Sequence, residues 1–132
     1  MSYWNTSVPF ETLNGKTLVS IERNPDTYDD YLIFVTTDDE RYKMYHEQDC
    51  CESVNIEDIS GDLSDLIGTP ILWAEEVSNA ESPHPANEDD YDRSETWTFY
   101  KLATINGSVT IRWYGTSNGY YSESVHFVKV GD

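Results

Sequence analysis

Glu95-Thr96-Trp97-Thr98-Phe99-Tyr100-Lys101-Leu102-Ala103-Thr104-Ile105-Asn106-Gly107-Ser108-Val109-Thr110-Ile111-Arg112-Trp113-Tyr114 is the stretch that decides the fold. Asn106-Gly107 is the strongest short hairpin signal, because both residues tolerate the positive φ that a tight two-residue turn requires. Before the turn, Trp97, Phe99, Ala103 and Ile105 share one parity; after it, Val109, Ile111 and Trp113 alternate with polar residues. Alternation of period two marks a half-buried strand. The reading is a long antiparallel hairpin with both apolar sets facing the core.

Downstream, Ser117-Asn118-Gly119 turns the chain into a last strand over 120–130. Upstream, residues 70–77 read as a strand. Between Ser60 and Gly68 the period changes: Leu63, Leu66 and Ile67 have helical spacing, Ser60 or Asp62 can cap, and Gly68 can stop the turn. This predicts one short helix near 62–67. Further upstream, 17–23, 31–36 and 41–45 form an antiparallel meander, with Thr17, Val19 and Ile21 sharing a face of the first strand. Residues 53–56 add another strand. The fold class is α+β and mainly β: an antiparallel sheet of seven or eight strands, curled or two-layered, with that one short helix. Residues 1–132 read as a single domain. Within it, 1–10 form an irregular N-terminal arm, and 79–94 form an acidic exposed loop. The loop carries Pro83, Pro85, Glu88, Asp89, Asp90 and Asp92 and almost no apolar side chain.

Carboxylates outnumber Lys and Arg by 25 to 8, a formal net charge of −17. Such a field repels phosphate backbones and anionic membranes, so direct nucleic-acid binding and membrane association are not expected. A basic protein surface is its complement. Ten Tyr and four Trp supply the apolar area of a folded core. No apolar leader and no membrane-length run is present, so the expected compartment is the cytoplasm, with Cys50 and Cys51 reduced.

The densest run of reactive side chains is 45–52, with Tyr45, His46, Asp49, Cys50, Cys51 and Glu52 as candidate binding residues. Thiolate zinc sites space their cysteines by two to four residues, whereas neighbours on a strand point to opposite faces. A Cys nucleophile would need His46 or His126 as base and Asp49 or Glu52 to orient it. No glycine-rich phosphate loop or other cofactor motif accompanies them, and no cofactor or metal is expected. Lys101 and Glu123 share parity with aromatic faces of their strands, which predicts that both are partly buried, on one face, and paired.

Four stretches resemble a known family: Tyr45-His46-Glu47-Gln48-Asp49-Cys50-Cys51-Glu52, residues 59–71, Trp97 to Lys101, and Ile111 to Glu123. They look like small phage and prophage proteins that carry a domain of unknown function. The resemblance spans 40–128 and leaves the N-terminal arm and the acidic loop outside its motifs. It implies a phage-associated origin, and so a bacterial host cell, but no activity.

The leading expectation is a non-enzymatic phage-type binding protein, an anti-defence inhibitor. Its acidic sheet face would block a basic host protein surface, such as a nuclease or its nucleic-acid site. The alternative is a sponge that sequesters a small nucleotide signal in an aromatic pocket built from Lys101, Arg112, Tyr114, Asn118, Tyr120 and Glu123, with bases on the rings and phosphate on the cations. A second alternative is a metal or Cys-dependent protein centred on 45–52. An exposed edge strand would permit a homodimer.

Overall fold

The computed structural model of the chain describes residues 5–25, 30–48, 51–79, 94–118 and 122–131. Nine strands form there: β1 (Asn5–Ser7), β2 (Leu18–Pro25), β3 (Asp30–Thr36), β4 (Arg41–Tyr45), β5 (Ser53–Ser60), β6 (Trp73–Asn79), β7 (Ser94–Thr104), β8 (Gly107–Ser117) and β9 (His126–Val130). They make two sheets, a five-stranded one ordered β1-β9-β4-β3-β2 and a four-stranded one ordered β5-β8-β7-β6. Every pairing is antiparallel.

The sheets pack face to face. Leu32 and Phe34 of β3, Tyr42 and Met44 of β4, and Phe127 of β9 meet Val54 and Ile56 of β5, Tyr100 and Leu102 of β7, and Ile111 and Trp113 of β8. The Trp113 indole donates to Met44 Sδ at 3.1 Å across the interface. Asp30 makes a second inter-sheet link, accepting from the Ile56 backbone N–H at 2.9 Å. A 3-10 turn over Phe10–Leu13 packs against β6, and Phe10 meets Tyr100 and Phe127 edge-on at 4.8 and 5.2 Å. Full burial of each large apolar side chain contributes about 1.5–3 kcal/mol.

Four expectations are corrected. The described residues hold nine strands, not seven or eight, because the N-terminal arm contributes β1, which pairs with β9. The helix near 62–67 is a 3-10 turn, Leu63–Leu66, capped by Asp62, whose carboxylate accepts from Ser64 N at 2.9 Å. Only four residues separate that cap from Ile67, too few for an α-helical ladder, and no α-helix occurs among the described residues. On β2 the register shifts between Leu18 and Ser20, so Leu18 is fully buried while Val19 faces out. An extra residue in one strand reverses parity beyond it.

The fourth correction concerns the long hairpin. Thr104 pairs with Gly107, so the turn residues are Ile105 and Asn106, one position earlier than expected. Thr98, Tyr100 and Leu102 face Trp113, Ile111 and Val109 and share their inward side. Phe99, Lys101 and Ala103 therefore lie on the outer face. Trp97 shares that face, yet is buried against its cross-strand neighbour Tyr114, with ring centroids 4.9 Å apart.

The acidic loop is bounded by the paired strands β6 and β7, and its residues 80–93, with Glu88, Asp89, Asp90 and Asp92, lie outside the described residues. Asp49, Cys50 and Tyr120 lie outside them as well. Among the described residues, no helix is long and apolar enough to cross a membrane.

Candidate functional site

At one end of the sandwich the chain leaves β8 in the four-stranded sheet and returns as β9 in the five-stranded one. The described part of this crossing, 122–125, carries Glu123 inward against β7 and β8 and leaves Ser124 exposed. Thr96 Oγ1 donates to Glu123 Oε1 at 2.6 Å, and Ser117 Oγ donates to Oε2. Glu123 is buried, and no Lys or Arg pairs with it among the described residues. Gly115 allows the approach: a Cβ there would stand 2.8 Å from Glu123 Cβ and 3.2 Å from Val54 Cγ2.

Ser124 anchors the other half of the site. Its carbonyl lies 2.6 Å from His46 Nδ1, and His46 Nε2 lies 2.8 Å from Glu52 Oε2. A carbonyl only accepts, so Nδ1 carries a proton. Gln48 closes the group, donating to the Glu52 carbonyl at 2.7 Å and to Glu52 Oε1 at 3.2 Å. Both side chains of the His46–Glu52 pair are almost wholly buried. With both ring nitrogens engaged, His46 has none left to take a proton from a nucleophile. Cys51 is disulfide-bonded, against the expectation of a reduced pair, and so offers no thiol. No group of three or more His, Cys, Asp or Glu side chains able to hold a metal occurs among the described residues.

Beside the crossing lies an open cleft of about 410 Å³, lined by Glu76, Tyr100, Thr96, Thr98, Glu123 and Ser124, among others. It exists because β6 is an edge strand whose inner face is covered only in part. Ala74 is buried, whereas Glu76 and Ser78 are exposed. Tyr100 is fully buried, and its Oη has no hydrogen-bond partner. Burial, and then the Glu76 carboxylate opposite it, push the phenol pKa far up, so the hydroxyl stays protonated. Glu76 is thus near, but not aligned for a full hydrogen bond.

The structure separates the predicted site residues into three sets. His46, Glu52 and Glu123 converge through the crossing. Tyr45 ends β4 beside them, its ring 5.4 Å from His126, and burial and then Glu47 raise its pKa. Lys101, Arg112 and Tyr114 lie on the outer face of the four-stranded sheet, so Lys101 and Glu123 do not share a face or a partner. Arg112 pairs there with Glu57 at 2.7 Å, and Asn118 is exposed at the end of β8. Gln48, Glu76, Thr96, Tyr100, Ser117 and Ser124 are polar residues of the site that the sequence reading missed. For Thr96 and Tyr100 the signal was a hydroxyl at an inward position, visible only with the correct phase of β7.

A family model described as a domain of unknown function (DUF7448) matches residues 11–127. The chain belongs to this family. The DUF7448 match begins well before residue 40, where the motif resemblance starts, and takes in the meander, the acidic loop and both halves of the polar site. No curated protein and no solved structure matches the chain.

Proposed function

We propose that this DUF7448 chain is a non-enzymatic binding protein of phage origin that covers a basic surface on a protein of its bacterial host, as an anti-defence inhibitor acting in the host cytoplasm. The observation that carries this reading is uncompensated charge. The chain bears a formal net charge of −17, and among the described residues the cations Lys16, Arg23, Arg112 and Lys129 are already held in ion pairs within the fold. Carboxylates at Glu11, Glu22, Asp38, Asp39 and Asp58 stand exposed on a rigid two-sheet frame. Spaced carboxylates of this kind imitate a phosphate array, which makes the nucleic-acid site of a nuclease a fitting target. The occupied nitrogens of His46 favour binding over nucleophilic chemistry.

The test is capture of host protein on the immobilised chain at low salt and at about 0.5 M salt, where the Debye length falls to a few ångströms. Capture that high salt abolishes, and that duplex DNA competes away, is expected. Capture indifferent to both would refute the charge-driven mechanism.

The outer face of the four-stranded sheet favours a second function, sequestration of a small nucleotide. Lys101 and Arg112 share that face with Phe99, Trp97 and Tyr114, a set of rings and cations suited to base stacking and phosphate contact. A nucleotide panel read by thermal shift checks it: a true ligand raises Tm, and Lys101→Glu removes the rise.

A further inference from the structure

We propose that the cleft between β6, β7 and the 122–125 crossing binds a small organic cation through its ammonium group. The cleft falls in the size range of small-ligand sites, about 300–1,000 Å³, at about 410 Å³. Its lining sets two carboxylates, Glu76 and Glu123, among hydroxyls, with no Lys, Arg or His among the lining residues. Phosphate and carboxylate ligands are thereby disfavoured.

Two observations besides the charge point to a ligand. Glu123 is a buried carboxylate held, among the described residues, by the Thr96 and Ser117 hydroxyls, and each of its oxygens retains a lone pair for a further donor. A buried charge without a counter-charge is costly, so a cation placed here is well compensated. Independently, Tyr100 is fully buried, lines the cleft, and has a hydroxyl with no partner. Native folds rarely leave such a group unsatisfied. An ammonium offers donors to the Glu76 carboxylate and to the oxygen of Tyr100, its cross-strand neighbour, while Glu123, held at Thr96 farther along β7, adds negative charge to the cleft. The overall negative field draws cations toward the opening. This site is distinct from the surface capture proposed above, and its failure would leave that capture untouched.

The same ammonium chemistry can come from a free amine or from a lysine on another protein. The test is calorimetric titration of the full chain with putrescine, with a short peptide bearing one lysine, and with 1,4-butanediol as the uncharged control. Saturable one-to-one binding of an amine but not of the diol is expected, weakened about tenfold by Glu76→Gln and by Tyr100→Phe. Glu22→Gln, an exposed carboxylate elsewhere, should leave it unchanged. Tyr100→Phe removes only a hydroxyl without a partner, so it preserves the fold and keeps the test interpretable. Putrescine alone binding identifies a free amine, and the peptide alone a lysine-bearing partner; either supports the site. No saturable binding, equal weakening by Glu22→Gln, or an unaffected Tyr100→Phe protein would overturn it.

Discussion

Replacing Glu40 by Gln should expose a stabilising contact that disappears in acid. Glu40 precedes β4 and joins two other parts of the five-stranded sheet: Lys16, ahead of β2, at 2.8 Å, and Lys129 of β9 at 3.0 Å. The hydrogen bond from Lys16, and then that from Lys129, bring its pKa from 4.5 down to about 2. That difference corresponds to at most about 3.4 kcal/mol, at 1.36 kcal/mol for each tenfold change in proton affinity. Lys129 is nearly half exposed, so solvent and salt screen much of it. A deficit of about 1–2 kcal/mol for Glu40→Gln at pH 7 is the working value.

The sign follows from the direction of the shift. The folded state holds the Glu40 proton more weakly than the unfolded state, so the contribution is whole above pH 4.5 and is lost as pH falls through about 2. At pH 3 about two fifths of it remains. Lys16, whose pKa the same contact raises above 10.5, keeps its share until pH rises through that higher value. Urea unfolding of both proteins at pH 7, 3 and 2 measures the difference directly, and the other carboxylates cancel in the comparison. A deficit that stays constant down to pH 2, or that is absent at pH 7, would refute the reasoning.

Gly115→Ala should destabilise by about 1–3 kcal/mol, read as a lower urea midpoint, because the new methyl would meet Glu123 Cβ at 2.8 Å inside a packed end. Equal midpoints would mean that the crossing moves aside freely. Asp30→Ala should lose about 1–3 kcal/mol in the same assay, since it leaves the Ile56 N–H buried without its acceptor and Arg23 without its partner. An unchanged Asp30→Ala protein would show that this inter-sheet link contributes nothing.

The β character of the chain was legible because alternation is a local signal. β4 and β8 each repeat apolar residues at every second position, and those residues face inward, whereas β3 is a continuous apolar run whose inward face the residue types alone do not mark. The phase of β7 was misread, although the sequence held the correction. A two-residue turn pairs an even-numbered residue with an odd-numbered one, so inward Val109, Ile111 and Trp113 oblige Thr98, Tyr100 and Leu102 to face inward as well. Trp97 and Phe99 concealed this, being large apolar residues that cover the outer face. At the candidate site, the 45–52 run announced itself by composition, and Glu123 by sharing parity with Val125 and Phe127. Their meeting did not, because Ser124 joins them across 78 residues through a backbone carbonyl. A backbone acceptor leaves no mark on the residue type that carries it.

The Trp113–Met44 contact also supplies a clock for the opening of the molecule. The indole proton is buried and held by a sulfur from the opposite sheet, so it can exchange with deuterium only when the two layers part. Its exchange rate, read from one resolved nuclear resonance, therefore reports how often the sandwich breathes. The other described indoles, those of Trp73 and Trp97, lie outside the inter-sheet layer. A single proton thus times the separation of the sheets without any label being added.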